Sequence, residues 1–145
     1  MSDFEIRPYR DSDQEDVVAL WHETGLYHPD NNPYDEIKRK MKDSPNFFLV
    51  AVSEHHIIGT IMIGYEGHRG WINYLGVKPS HQHKNVGRNL LHTAEELLQN
   101  MGCIKINLQI RQTNRSVIYF YKSLGYSIEN VISMGKRIDF DNPQL

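Results

Sequence analysis

The chain has 145 residues, of which 39% are hydrophobic and 23% charged, with a formal net charge of -2. That length can bury a real core as one ordinary domain, and the composition is that of a water-soluble globular protein. The absence of a basic tail or stripe excludes bulk nucleic-acid binding, and the lone Cys103 excludes an internal disulfide and a multi-cysteine zinc site.

Residues 4–9 alternate and read as a first strand. Asp11 or Ser12 stands where it would cap a helix whose apolar positions Val17, Leu20, Trp21 and Thr24/Gly25 fall on one face. Residues 26–32 form a polar loop. Pro33 suits the first turn of a second helix, with Ile37 and Met41 four apart. Residues 46–53 read as a strand, Glu54-His55-His56 as a tight turn, and residues 57–65 as the returning strand. After Gly67-His68-Arg69-Gly70, residues 71–77 make a third antiparallel strand. A helix over residues 86–101 carries the stripe Val86, Leu90, Leu91, Ala94, Leu97, Leu98 and Met101, and Gly102 ends it. Cys103 is expected to be an inert core thiol at the start of the next strand, residues 104–110. A helix over residues 115–124 is closed by Gly125, and residues 126–131 and 133–138 are expected to form a final strand pair. The order β-α-α-β-β-β-α-β-α-β-β predicts one α/β domain. Its sheet is mixed and mostly antiparallel, with helices on both faces. The crossover helix makes the strands before and after it parallel.

The N-terminus Met1-Ser2-Asp3-Phe4-Glu5 lacks a basic region followed by an apolar run, and no apolar stretch reaches membrane-spanning length. The expectation is a cytoplasmic protein with neither a membrane nor a nucleic acid as partner. His81, His83, His55 and His56 lack a third ligand at suitable spacing and a flanking carboxylate, so no metal is expected.

The most informative stretch follows the third central strand. There a loop with Lys, His, Asn and Gly leads at once into a helix, whose first N–H groups have no intrahelical partner and whose macrodipole is positive. No Asp or Glu occurs between Glu66 and Glu95, whereas Arg69, Lys78, Lys84 and Arg88 do. This is a ready site for a phosphate or pyrophosphate.

Two motifs carry a family resemblance over nearly the whole chain. The first is Gln82-His83-Lys84-Asn85-Val86-Gly87, after a strand ending Leu75-Gly76-Val77 and then Pro79. The second runs from Asn114 through Tyr119-Phe120-Tyr121 to Leu124-Gly125-Tyr126. In this order and separation they resemble the acyl-CoA loop and the later tyrosine motif of the GCN5-related N-acetyltransferase (GNAT) superfamily. The likeness is to its small, stand-alone, bacterial-type members.

The resemblance implies the acyl-CoA N-acyltransferase fold, with a splayed sheet, and acetyl-CoA as co-substrate. Gln82, His83, Lys84, Asn85, Val86, Gly87 and Arg88 would cradle its pyrophosphate. Leu75, Gly76 and Val77, near a strand bulge, would pair with its pantetheine arm like an added strand. Asn114 would cap its helix and reach the cofactor. Tyr121 would protonate the leaving thiolate, since a phenol and an alkyl thiol have pKa values within roughly one or two units. Asn85 stands where the family has glycine. Asn tolerates left-handed backbone geometry best among the other residues, and it is a good helix cap.

A glutamate used as base in some relatives is replaced by Gln109, which takes no proton. Glu66 is the expected substitute, with His68 or a water chain past Tyr74 or Asn73 as alternatives. A backbone N–H near Val77 would hold the oxyanion. The implied activity is acetyl transfer to an amine-bearing acceptor, a small molecule or a protein, by direct attack in a ternary complex, and a homodimer is allowed. The acceptor would lie against the two N-terminal helices and the loop from Leu26 to Tyr34. A non-catalytic acyl-CoA sensor or interaction module on the same fold is the alternative.

Overall fold

The computed structural model describes residues 3–139. The chain clusters into two compact units, Met1–Gln109 and Ile110–Leu145.

In the first unit the elements are β1 (Glu5–Pro8), α1 (Gln14–Glu23), α2 (Pro33–Asp43), β2 (Phe48–Ser53), β3 (His56–Tyr65), β4 (Gly70–Val77), α3 (Val86–Asn100) and β5 (Ile106–Leu108). The strands form one sheet in the order β1-β2-β3-β4-β5. The first three pairings are antiparallel, and β4–β5, joined through α3, is parallel. This is the mixed α/β architecture that the order of apolar patterns implies.

Adjacent residues of β3 show why helices cover both faces. A Cβ at Gly59 would meet Leu90 and Val86 of α3, at 3.0 and 3.2 Å. The next residue, Thr60, accepts a hydrogen bond from Trp21 of α1. Successive strand residues point to opposite faces, so α1 and α3 lie on opposite sides of the sheet. Gly59 lacks a side chain where the start of α3 comes closest, which seats that helix end against the sheet. Leu90, Leu91, Ala94 and Leu98 of α3 are no more than 1% exposed. Truncating one such leucine to alanine costs roughly 2–5 kcal/mol. On the other face Val17, Leu20 and Trp21 pack with Tyr9, Phe48 and Val50, and the Tyr9 and Phe48 rings stack at 4.6 Å.

Local capping differs in places from expectation. A 3-10 turn, Asp11–Asp13, precedes α1. Asp13, rather than Asp11 or Ser12, is the anchor: its carboxylate accepts the Arg10 N–H at 2.8 Å and both Arg7 guanidinium ends at 2.8 and 3.0 Å. Burial pushes this carboxyl up, but the Arg7 and Arg10 contacts outweigh it and hold it below the usual carboxylate range. At α2, Asn32 accepts from Tyr34 N and Asp35 N ahead of Pro33. The strand expected over residues 46–53 begins only at Phe48, because Pro45–Phe47 is a 3-10 turn.

In the second unit α4 (Arg115–Ser123) closes on Gly125, whose φ is +95°. The strand pair expected over residues 126–138 is not formed among the described residues. Ile128, Val131, Ile132, Met134 and Ile138 are 69–92% exposed there. Alternation of apolar residues makes a strand only where one face is buried, and a lone hairpin is marginal in water. The expected strand over residues 104–110 is likewise shorter, since only Ile106–Leu108 pairs with β4.

Candidate active site

β4 and the turn after it carry most of the residues singled out by sequence. The pairing of β4 with β5 ends at Ile72↔Leu108, whereas its pairing with β3 continues to Val77. From Asn73 onward β4 therefore runs past its last β5 partner, a splay at the segment containing Leu75, Gly76 and Val77. Within that segment Met62 faces Asn73 and Thr60 faces Gly76, so two residues, Tyr74 and Leu75, stand opposite Ile61. That is a β-bulge. Its strained residue is Tyr74, with φ +53°.

Gly76, in the same segment, has little room for a side chain. A Cβ at Gly76 would lie 2.5 Å from Leu26 Cδ1 and 3.3 Å from Thr24 Oγ1. Gly76 is small because the end of α1 and the loop after it lie directly on β4. The left-handed geometry of Tyr74 was not foreseen, because nothing local marks a tyrosine for it.

After Val77 the chain turns through Pro79–His81 and enters α3. His83 and Asn85 both have positive φ, 64° and 67°, while Lys84 between them does not. Alternation of this kind gathers successive N–H groups into a concavity suited to an anion. Asn85 adopts the left-handed conformation for which asparagine is tolerated. It makes no side-chain cap bond; its carbonyl accepts from Asn89 N at 2.9 Å. The first turn of α3, with Val86, Gly87 and Arg88, holds no acidic residue. Lys84 and Arg88 are exposed. The Gln82 side chain does something else: its Nε2 donates to the Val77 carbonyl at 3.0 Å, pinning the loop to the end of β4.

Glu66 lies in the turn between β3 and β4, at the other end of β4. At about 3.3 Å per residue, eight residues separate that turn from the α3 loop by roughly 25 Å. Its carboxylate accepts the backbone N–H of His68 at 2.9 Å and that of Arg69. The Arg69 N–H, helped by the His68 N–H, holds it below the usual carboxylate range against the opposing effect of desolvation. The residue expected as the base is thus the staple of a hairpin turn. His68 sits in the same turn, so the structure brings neither to the loop before α3.

In the second unit Asn114 caps α4, its side chain accepting from Val117 N at 3.4 Å. Tyr121 is 7% exposed, with Phe120 and Tyr126 edge-on at 5.2 and 5.4 Å. Burial pushes its phenol well above the ordinary value. Cys103 is half-buried, not part of the strand, and its Sγ–H donates to the Lys105 carbonyl at 3.3 Å. No helix among the described residues is long and apolar enough to cross a membrane.

Comparison with known proteins agrees with this geometry. An acetyltransferase of Yersinia enterocolitica is 39% identical over 137 residues, covering 94% of this chain and 97% of that protein. The PaiA N-acetyltransferase of Thermoplasma acidophilum, solved with coenzyme A, superposes with a TM-score of 0.72 at 24% identity, over 91% of this chain and 94% of that one. AAC(6')-Iy bound to a bisubstrate analogue, CoA-S-monomethyl-acetylneamine, superposes with a TM-score of 0.76 at 19% identity, over 94% of this chain and 100% of that one. The model of the acetyltransferase (GNAT) family matches residues 9–126. That match and the 39% identity to the Yersinia enterocolitica protein show that this chain belongs to the GNAT acetyltransferase family.

Proposed function

We propose that the whole chain acts as one N-acetyltransferase domain, moving an acetyl group from acetyl-CoA to a primary amine of a small molecule or protein in a ternary complex. The observation that carries this reading is the acid-free start of α3, with His83 and Asn85 both left-handed beside a β4 segment that outruns β5. Val86, Gly87 and Arg88 would present their N–H groups to the pyrophosphate, each charge-assisted bond contributing roughly 1.5–3 kcal/mol. Leu75 to Val77 would pair with the pantetheine arm. Gln82 would serve by holding the loop to Val77 rather than by touching phosphate. CoA or a CoA conjugate is bound in the two solved relatives above, which supports the same ligand here.

In the reaction the amine nitrogen bonds to the thioester carbonyl carbon, and the C–S bond breaks as the tetrahedral intermediate collapses. The thiolate that leaves takes up a proton. Tyr121 is our candidate for that proton's donor, because its raised pKa keeps the phenol protonated at neutral pH. The same shift rules the residue out as a phenolate base under those conditions. Glu66, expected as the base, is held in its ionised form by turn N–H groups and is a correspondingly poor proton acceptor. We therefore assign deprotonation of the amine to water near Asn73 and Tyr74.

The acceptor would approach over α1 and α2. From Asp11 to Ile37 the chain has no Lys or Arg, while Glu23, Asp30, Asp35 and Glu36 flank the connection between the two helices. A protonated amine is drawn to such a field.

The test is an amine-library screen with acetyl-CoA, read by mass spectrometry and by thiol release. An acetylated amine formed with stoichiometric free CoA is the expected result. Tight acetyl-CoA binding without transfer to any amine would replace this reading by the non-catalytic acyl-CoA sensor.

A further inference from the structure

β3 is apolar from Ile57 to Ile63 except at Gly59 and one hydroxyl, Thr60, which is 0% exposed. A buried hydroxyl is costly unless it is hydrogen-bonded. This one is bonded twice. It accepts from the Trp21 indole N–H at 3.0 Å and donates to the Tyr74 carbonyl at 2.8 Å. Tyr74 is the left-handed residue of the β4 bulge, and its ring stacks on Trp21 at 4.1 Å with 23° between the planes. Both the backbone and the ring of the strained residue are thus held from one place, Trp21 with Thr60. Such strain persists only where the surroundings over-determine it.

Trp21 extends this anchor to the loop after α1. Its carbonyl accepts from Leu26 N at 2.9 Å and Tyr27 N at 3.1 Å, and Leu26 lies against Gly76. The bulge is thereby clamped at Tyr74 by an aromatic ring and a hydroxyl, and two residues later by a leucine.

The geometry points to Thr60 as a positioning residue for acyl-CoA: through the Tyr74 carbonyl it sets the bulge that frees Leu75–Val77 to pair with the pantetheine arm. This rests on the acyl-CoA reading proposed above. Thr60 touches no ligand itself. Its effect is confined to the arm and spares the pyrophosphate loop, whose shape is set by the left-handed His83 and Asn85 backbone. A residue that merely fills the core would affect both parts of the ligand alike.

The experiment compares acetyl-CoA with adenosine 3′,5′-bisphosphate, which lacks the arm, by calorimetry on the full chain. Thr60→Val keeps the shape and removes the hydroxyl; Thr60→Ser keeps the hydroxyl. We expect Thr60→Val to weaken acetyl-CoA by roughly ten-fold or more, the effect of losing about one hydrogen bond's preorganisation, with the bisphosphate within about two-fold. Thr60→Ser should restore acetyl-CoA to within about three-fold. Unchanged acetyl-CoA affinity in Thr60→Val, or parallel loss of both ligands, would overturn the assignment. If Thr60→Val does not fold, Tyr74 decides. Tyr74→Asn tolerates positive φ and Tyr74→Val resists it. The Val variant should then bind acetyl-CoA at least about ten-fold more weakly than the Asn variant, and equal affinities would overturn the proposal. Binding of neither ligand by the unmodified protein would instead overturn the acyl-CoA reading, and this assignment with it.

Discussion

The two ends of β4 are both turns with backbone N–H groups that need partners, and they solve the problem in opposite ways. At the Gly70 end the chain supplies its own anion: Glu66 accepts from His68 N and Arg69 N and closes the hairpin. At the Val77 end the first turn of α3 has no acidic residue, and His83 and Asn85 are bent into left-handed geometry. A turn that carries its own carboxylate is complete. One that withholds it, and stays positive with Lys84 and Arg88, is shaped for an anion from outside. Chemical type alone did not separate them, because both are short polar turns containing Gly, His and a basic residue.

The largest effect is expected in the second unit. Tyr121→Phe removes the proposed acid while keeping the ring. Turnover should fall by ~10²-fold or more with CoA affinity retained, and the loss should shrink with a more acidic thiol leaving group. Full turnover under chemistry-limited conditions would return the search for the acid to the β4 turns.

Arg88→Glu converts the Val77 end into a copy of the Gly70 end by giving the turn its own carboxylate. Arg88 is exposed, so the change strains no packing. CoA affinity should fall by roughly thirty-fold or more as charge-assisted bonds meet repulsion. Thermal stability should hold or rise, because an acid in the first turn of a helix is favourable by about 0.3–1 kcal/mol. Unchanged binding by calorimetry would mean that the two turns do not differ as described.

Glu66→Gln is the converse. It should lower stability slightly and change the catalytic rate by less than about three-fold, with no shift in the rate–pH profile. A lost limb in that profile would restore Glu66 as the base.

The smallest effects are in pH dependence, where the two ends titrate oppositely. Burial raises Tyr74 to about 12, while an unfolded tyrosine loses its proton near 10. Above about pH 10 the unfolded chain releases a proton that the native state keeps, so stability falls as pH rises. Tyr9, also raised to about 12 by burial, and Tyr121 act in the same direction. Glu66 is shifted down, so its contribution is present above the unfolded carboxylate value of about 4.3 and is lost as pH falls through its folded value. Denaturation midpoints at pH 4, 7 and 11, in Glu66→Gln and in Tyr74→Phe, should show the acid-side loss reduced only by the first, with the part due to Asp13 remaining, and the alkaline loss reduced only by the second.

The fold was legible where periodicity met burial. The stripe from Val86 to Leu98 and the apolar run of β3 gave their elements, because one face or both faces of each is buried. Residues 126–138 have a comparable alternation with no buried face to use, and the strands expected there are absent from the described residues. The acid-free start of α3 was legible because missing acids and a helix start are local properties. The turn contacts of Glu66 were not legible, because residue type does not say which way a carboxylate faces. The parts Tyr74 and Thr60 play in the bulge were missed for a different reason. Positive φ at a tyrosine is imposed from outside its segment, by Trp21, 53 residues earlier in the chain. The one available signal was the single hydroxyl in the otherwise apolar run from Ile57 to Ile63.

The central claim is that the start of α3 takes the pyrophosphate of acyl-CoA, and the melting temperature measured with and without acetyl-CoA tests it most directly. At about 100 times the dissociation constant, binding adds ~2.7 kcal/mol to stability. For a domain of this size that is a rise of roughly 5–10 °C. The expected result is such a rise with acetyl-CoA, retained with the 3′-dephosphorylated form and far smaller with pantetheine alone. No rise with any CoA form at millimolar concentration would contradict the claim.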